Sequence, residues 1–439
     1  MSEHSPRSGG RPPGPPASAG ATTKVSTFAS LAIPSYRVLW WSGLFSFMGI
    51  QMQMLLRGLL AWDLTEREGA LGVVFLVFGL AMLITTPLGG VAADRFPKRW
   101  LLFAGQAMIT VGAVGMGVAV LAGVEQFWML LVVSVIQGAM FGLIGPARVS
   151  FSRELVGPEL LGNAITLSVL SMSSTRVFAP SLAGALAGWA LFGIGGAYVV
   201  AAVFSLFSAW LTFFLPDTGS TPTARNPFAE IADGVRYVAQ RPPLRRMVVT
   251  STIVIMFGFN YISFMPALVE GVYELGDGSV GFMSTASSIG AVAVSIPLAS
   301  RSGSPRARTM IAWFGLAFGG FVALLSLAPQ YWVAVPIVVL VGGATTGFQS
   351  LSSAVALGDT DPSHQGRVQS LMQLAFAGFG LAALPLGLLA EAIGLKRAIA
   401  LMGVIPMVAV VAYAMGEGLL GRSRKIVATG PGGAEQPAG

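Results

Sequence analysis

Two arginines interrupt otherwise apolar runs of this chain: Arg57 in GIQMQMLLRGLLAW and Arg176 in SMSSTRVFAPSLAG. A guanidinium stays charged at every physiological pH. Holding a charge within hydrocarbon is costly, so such residues tend to face a wet cavity and to mark function. Gln53 precedes Arg57 by one helical turn and shares its face; Met172 and Ser173 stand in the same relation to Arg176. Gln137 and Met140, Asn260 and Tyr261, Gln349 and Ser350, and Gln373 are the other candidates for lining a cavity. Each has a plainer alternative: amides and hydroxyls bonding helix to helix, and arginines bracing the bundle through backbone carbonyls. No Asp or Glu sits deep in an apolar run. Asp63 and Glu270 stand at run ends, in corresponding places of the two halves. A carboxylate in a partly dry vestibule exchanges protons near neutrality. These two are therefore the candidates for proton coupling, the alternative being interfacial carboxylates that never leave water. Buried cations without buried anions suit an anionic or polar aromatic cargo; nearby Phe, Trp and Met suit amphiphilic molecules as well.

Other chemistries lack their residues. The chain has no cysteine, and its two histidines, His4 and His364, are too few for a metal cluster. The dipeptide Gly-Lys does not occur, which excludes a nucleotide-gripping P-loop, and neither His-Glu-x-x-His nor Gly-x-Ser-x-Gly is present. Gly112, Gly115 and Gly117 lie inside an apolar run and read as helix packing. No enzymatic activity, metal or cofactor is expected.

Composition names the elements that must position these residues. Of 439 residues, 54% are hydrophobic and 10% charged, and the mean hydropathy is +0.74. A soluble protein carries about 25% charged residues. The chain therefore reads as an all-α membrane protein. A span needs roughly 20 apolar residues to cross the hydrocarbon. Twelve such stretches fall at 38–62, 70–91, 100–122, 126–146, 163–188, 195–215, 246–269, 279–299, 309–328, 331–355, 368–390 and 397–416. Of 26 basic residues, Arg67, Lys396 and Arg397 occupy one set of alternate loops and Arg57 and Arg176 lie within spans; the other 21 share one face. The positive-inside rule makes that face, with both termini, cytoplasmic. The net charge of +7 is then topology rather than a nucleic-acid footprint. Lys396 and Arg397 depart from the rule without a role that the sequence explains.

Residues 1–35 and 417–439 are Pro/Gly-rich and are expected to be disordered tails. A polar stretch at 216–245 separates a six-span bundle, 36–215, from a second, 246–416. Within that linker Phe228, Ile231, Val235 and Val238 recur at helical steps, which predicts a short amphipathic helix on the cytoplasmic surface. The halves echo each other. PLGGVAADRFPKRWLL from Pro87 parallels PLASRSGSPRARTMI from Pro297, and VGPELLGNAITL from Val156 parallels TDPSHQGRVQSL from Thr360. The matching parts are loops, so an internal duplication with a site between two lobes is expected.

The segment from Gly90 through Asp94, Arg95, Lys98 and Arg99 resembles the signature G-x-x-x-D-R-x-G-R/K-R/K of the major facilitator superfamily, with Pro97 in place of its second glycine. The resemblance implies twelve transmembrane helices in two pseudo-symmetric six-helix bundles, alternating access, and a cavity lined by spans 1, 4, 7 and 10. It also implies a latch in which Asp94 meets Arg148 and the N-terminus of span 11 near Gln365–Gly366. Arg95, Lys98 and Arg99 would join Glu154 around it, or Lys98 and Arg99 would serve only as orientation signals. The stretch from Arg176 to Gly188 partly resembles a span-5 motif of proton-driven exporters, in which Pro180 would bend the helix and Gly184 permit close contact. GPARVSFSRELVGPELLGNA and GVRYVAQRPPLRRM resemble the enterobactin-exporter and macrolide-efflux branch. The implied function is proton-coupled efflux of a small drug or siderophore by a monomer in a bacterial plasma membrane. A lipid or lysophospholipid flippase of the same fold, or a transporter-like ligand sensor, are the alternatives.

Overall fold

The structure, a computed structural model, describes residues 28–217, 227–299, 306–361 and 364–419. Nearly all of both expected tails falls outside the described residues. Every described element is a helix. That is the solution hydrocarbon imposes on a chain that must satisfy its backbone polar groups within each segment.

The long helix α1 (Pro34–Thr65) starts on Pro34, whose missing N–H costs nothing in a first turn, and stops where Glu66 takes a left-handed φ of 49°. Next come α2 (Glu68–Arg95) and α3 (Lys98–Leu121). The helical run Phe127–Ala187 breaks at Gly157, with φ 74° and ψ 173°, a conformation only glycine takes without strain. Its two arms are α4 (Phe127–Gly157) and α5 (158–187). After α6 (Gly193–Thr212) the linker helix Pro227–Ala239 leads to α7, which starts at Pro242–Ile253. From there α7 changes pitch repeatedly: wide turns over Val254–Gly258, tight ones over Phe259–Ile262, and wide ones again over Ala267–Val272. Asn260 contributes to this, because its amide donates to the Met256 carbonyl at 2.6 Å and to the Phe379 carbonyl of another helix at 3.0 Å. The chain ends with α8 (Asp277–Ala299), α9 (Ala307–Ser326), α10 (Tyr331–Gly358), α11 (Gln365–Ile393) and α12 (Leu395–Gly416).

Among the described residues nine helices are long and apolar enough to cross a membrane: α1–α4, α6 and α9–α12. The other three expected spans coincide with α5, which carries Arg176, the broken α7, and the serine-rich α8.

Glycines set the packing, since in lipid helices associate by close fit rather than by the hydrophobic effect. Gly138 and Gly142 of α4 lie against the backbone of α2 at Phe78 and Met82; Gly290 of α8 and Gly342 of α10 lie in the same way against Val339 and Ser287. Gly117 joins α3 to α6 at Gly195, and Gly319 joins α9 to α12 at Gly403. The contacts of α1–α6 thus recur in α7–α12, and the two lobes are related as the paired loop motifs anticipate.

The lobes touch along two seams. Gly72 and Gly79 of α2 lie against Ala383, Ala377 and Gly380 of α11, while Gly184 and Gly188 of α5 lie against Gly281 and Gly278 of α8. Both seams occupy the helix halves farther from the chain ends; that side is called here the distal face, and the other the tail face. On the tail face the linker helix packs against α11 and α2. Asp233 pairs with Arg367, the Tyr237 ring stacks on His364 at 4.1 Å, and Arg241 bonds Asp361 at 2.8 Å. Val238 is buried there and Val235 is half exposed, while the side chains of Phe228 and Ile231 lie outside the described residues.

Candidate functional site: the cavity between the lobes

A cavity of about 180 Å³ lies between the lobes, lined on one side by α1, α2, α4 and α5 and on the other by α7, α8, α10 and α11. The first wall carries the charge. Arg57 is 1% exposed; its Nε donates to the Gln53 carbonyl at 3.3 Å, and its guanidinium stands 4.8 Å from the Phe78 ring and 5.8 Å from that of Phe75. The aromatic faces attract the cation, yet Nη1 has no hydrogen-bond partner. Arg176 donates across the lobes to Gln349 Oε1 and stands 4.8 Å over Phe376 of α11. The second wall offers hydroxyls from Ser284, Ser287 and Ser288 of α8 and from Thr345, Thr346 and Ser350 of α10. No Asp, Glu or Lys lines the cavity among the described residues.

Of the candidates from sequence, Arg57, Met172, Arg176, Tyr261, Gln349 and Ser350 border this space, as does Pro180. Gln53 and Gln137 are buried with both amide atoms unpartnered but are not on its wall. Asn260 is committed to backbone carbonyls, and Met140 packs beside Ile144 near Gly105. The side chains of Ser173 and Gln373 lie outside the described residues. The sequence reading missed the hydroxyl row. Its signal is present: Ser284, Ser287 and Ser288 recur at three- and four-residue steps in an apolar run, as do Thr345, Thr346 and Gln349.

At the tail face Lys98, its side chain only 3% exposed, pairs with Glu154 at 2.7 Å. Arg148 Nη1 donates to the Leu39 carbonyl of α1 at 3.0 Å and fills the space beside Gly43. Arg95 is exposed, and Arg99 stands 5.4 Å over Trp100. The side chain of Asp94 lies outside the described residues. The close approach of α2 to α4 in this stretch is made by Gly89, next to Gly90, against Gly142 and Leu143. Pro180 does not interrupt its helix, and Gly184 makes its contact with the opposite lobe.

At the distal face Asp63 of α1 meets Glu270 of α7, and Asp277, the first residue of α8, joins them; carboxylate oxygens of all three lie within 4.8 Å of one another. Like charges this close do not all ionise, so the group shares protons and titrates as a unit. Asp277 sits at a helix start next to a turn, where an acidic residue is ordinary, so nothing in its local sequence singles it out. Lys396, unexplained by charge topology, donates to the Ala328 carbonyl just past the end of α9 at 2.9 Å; Arg397 Nη1 reaches the Ile393 carbonyl at 3.3 Å.

Two pseudo-symmetric helical lobes with a cavity between them define a class, the two-lobed membrane carriers. Residues 39–380 match the Major Facilitator Superfamily, and the chain belongs to that family. It is 25% identical over 206 residues to the uncharacterized MFS-type transporter YfiS of Bacillus subtilis (strain 168), a match covering 45% of this chain and 47% of that protein, about half its length. It is 21% identical over 309 residues to the enterobactin exporter EntS of Shigella flexneri, covering 70% of this chain and 73% of EntS. Among solved structures it resembles a bacterial homologue of the human lysosomal transporter Spinster, with TM-score 0.69, 15% identity and coverage of 91% and 98%. It also resembles the human organic anion transporter MFSD10, with TM-score 0.63, 15% identity and coverage of 86% and 98%. These structural likenesses establish the fold. Membrane transport of a small molecule, without an enzymatic step, is the function the family assigns.

Proposed function

We propose that this chain exports a small anionic or amphiphilic molecule, of the drug or siderophore kind, by proton-coupled alternating access. One observation carries the reading: a cavity bordered by two arginines, of which Arg57 is buried with an unsatisfied donor, and no acidic residue on its described wall. A carboxylate, phenolate or catecholate would satisfy Arg57 Nη1, because a buried donor without a partner costs more than the same donor bonded. The ring of such a cargo would lie among Phe78, Phe376 and Phe379, and its polar edge would meet the hydroxyls of α8 and α10. The likeness to an enterobactin exporter and to an organic anion transporter supports this cargo class.

Of the 26 basic residues, 21 fall in the tails and alternate loops that the positive-inside rule assigns to the cytoplasm, which supports a cytoplasmic tail face. Lobes sealed at the distal face then correspond to a carrier open toward the cytoplasm, in a bacterial plasma membrane with both termini inside. All twelve helices α1–α12 cross, in lobes 36–215 and 246–416 joined by the linker 216–245, and the monomer is the working unit. Asp63, Glu270 and Asp277 bridge the lobes and hold the coupling protons. The Asp94 latch, with Arg148 nearby, closes the cytoplasmic side in the alternate state.

Thermal stabilisation of the purified protein tests the cargo class, since a ligand that binds the folded state raises its melting temperature. Aromatic carboxylates and catecholates are expected to stabilise, and Arg57→Ala to abolish that shift. Stabilisation by lipophilic cations alone would overturn the assignment.

A further inference from the structure

The N-terminus of α2 has no cap from its own sequence: Arg67 holds the cap position and its side chain bonds no backbone N–H of the first turn. The cap comes from the other lobe. Glu391, near the end of α11, accepts a hydrogen bond from the Gly69 N–H at 3.0 Å and another from Arg67 Nε at 3.3 Å, both through Oε1. Gly69 is the second residue of α2, so its N–H is one of those the helix cannot satisfy internally. The Glu391 side chain is 25% exposed, and that of Arg67 71%. A solvent-facing ion pair contributes little. A carboxylate sheltered against a helix N-terminus gains both the hydrogen bond and the favourable end of the helix dipole. The absence of a side chain at Gly69 is part of the site: a Cβ there would stand 2.8 Å from Glu391 Oε1, and its three nearest atoms all belong to that carboxylate.

We propose that Glu391 is an interlobe latch of the distal face, a carboxylate of α11 that caps α2 only while that face is shut. The inference rests on the alternating-access reading above and adds a second latch to it. α2 and α11 run in opposite directions. Asp94 stands at the end of α2 that faces the start of α11, and Glu391 stands at the end of α11 that faces the start of α2. Each helix thus carries a carboxylate near its C-terminus; Glu391 caps α2 in this structure, and in the proposed cycle Asp94 caps α11 in the alternate state. Rocking the lobes engages one cap as it releases the other, so the cost of breaking either is offset by making its counterpart.

The chain has no cysteine, so paired spin labels need no background substitutions. Ala122→Cys, at the end of α3, and Gln330→Cys, at the start of α10, are exposed distal positions on opposite lobes. Distances are measured on the full chain in lipid nanodiscs, without cargo or pH gradient, so the result stands whether or not the proposed cargo is right. Glu391→Ala is expected to raise the ratio of long to short distances roughly three- to tenfold, the effect of losing a helix cap, and Glu391→Gln, which keeps the acceptor oxygen and loses only the charge, to raise it less. Arg67→Ala shifts it less, and Asp94→Asn shifts it the opposite way. Gly69→Ala acts like Glu391→Ala on its own but adds nothing in the Glu391→Ala background. Unchanged distances in both Glu391 variants would overturn the latch. So would a Gly69→Ala effect that persists without the carboxylate, because Gly69 would then act by packing.

Discussion

Arg57 and Arg176 differ in how their charge is spent. Arg176 is already committed across the lobes to Gln349, whereas Arg57 keeps a free donor under two phenyl rings. In the proposed function, cargo recognition falls first on Arg57. Arg57→Ala is expected to lower transport of anionic cargo at least tenfold while leaving cationic compounds little affected; equal losses for both, in paired proteoliposome assays, would make Arg57 a brace. At the carboxylate cluster, Glu270→Gln removes one proton-binding group. The variant is expected to keep cargo counterflow but to lose most of its response to an imposed pH gradient, read as the ratio of the two rates. At this scale the sequence was informative about which residues were out of place, since an arginine or glutamine in an apolar run is conspicuous. It was uninformative about direction. Gln53 and Arg57 share a helical face, yet Arg57 borders the cavity and Gln53 is buried away from its wall.

Glycine seams decide how closely the helices of the two lobes meet. In the α5–α8 seam, Gly184 and Gly281 bring two backbones into direct contact, and a side chain on either falls inside the other's backbone. Gly281→Leu is expected to cost the distal-closed state about 1–3 kcal/mol by overpacking. It should hold the carrier open at that face, seen as a persistent long distance between the distal spin labels and as slow turnover with normal membrane insertion. At the tail face, Asp94→Asn is expected to reduce transport severalfold with near-normal insertion; full activity in proteoliposomes would remove that latch from the cycle. The motif around Asp94 was legible because its four charges fall within six residues of sequence. The broken course of α7 was not, because it depends on Asn260 reaching the Phe379 carbonyl of a helix more than a hundred residues later.

For the whole molecule, the orientation of the two faces is a proposal that rests on charge alone, and impermeant thiol reagents test it. Cysteines replacing Gly123 or Arg397 are expected to be labelled from outside intact cells, and those replacing Arg236 or Arg306 only after lysis. Labelling of Arg236→Cys from outside would invert the transport direction proposed here. The sequence by itself determined that this is a helical membrane protein, where its apolar segments run, that it is duplicated, and which face carries the cations. Those properties are written in composition and in short-range periodicity, which survive any arrangement of the segments. Only the tertiary structure decided that Asp277 joins Asp63 and Glu270, that serines and threonines of α8 and α10 face two arginines, and that Glu391 caps α2. Each of these brings a side chain of one lobe against groups of the other, and the distance between lobes is set by how their surfaces fit, which no local pattern along the chain encodes.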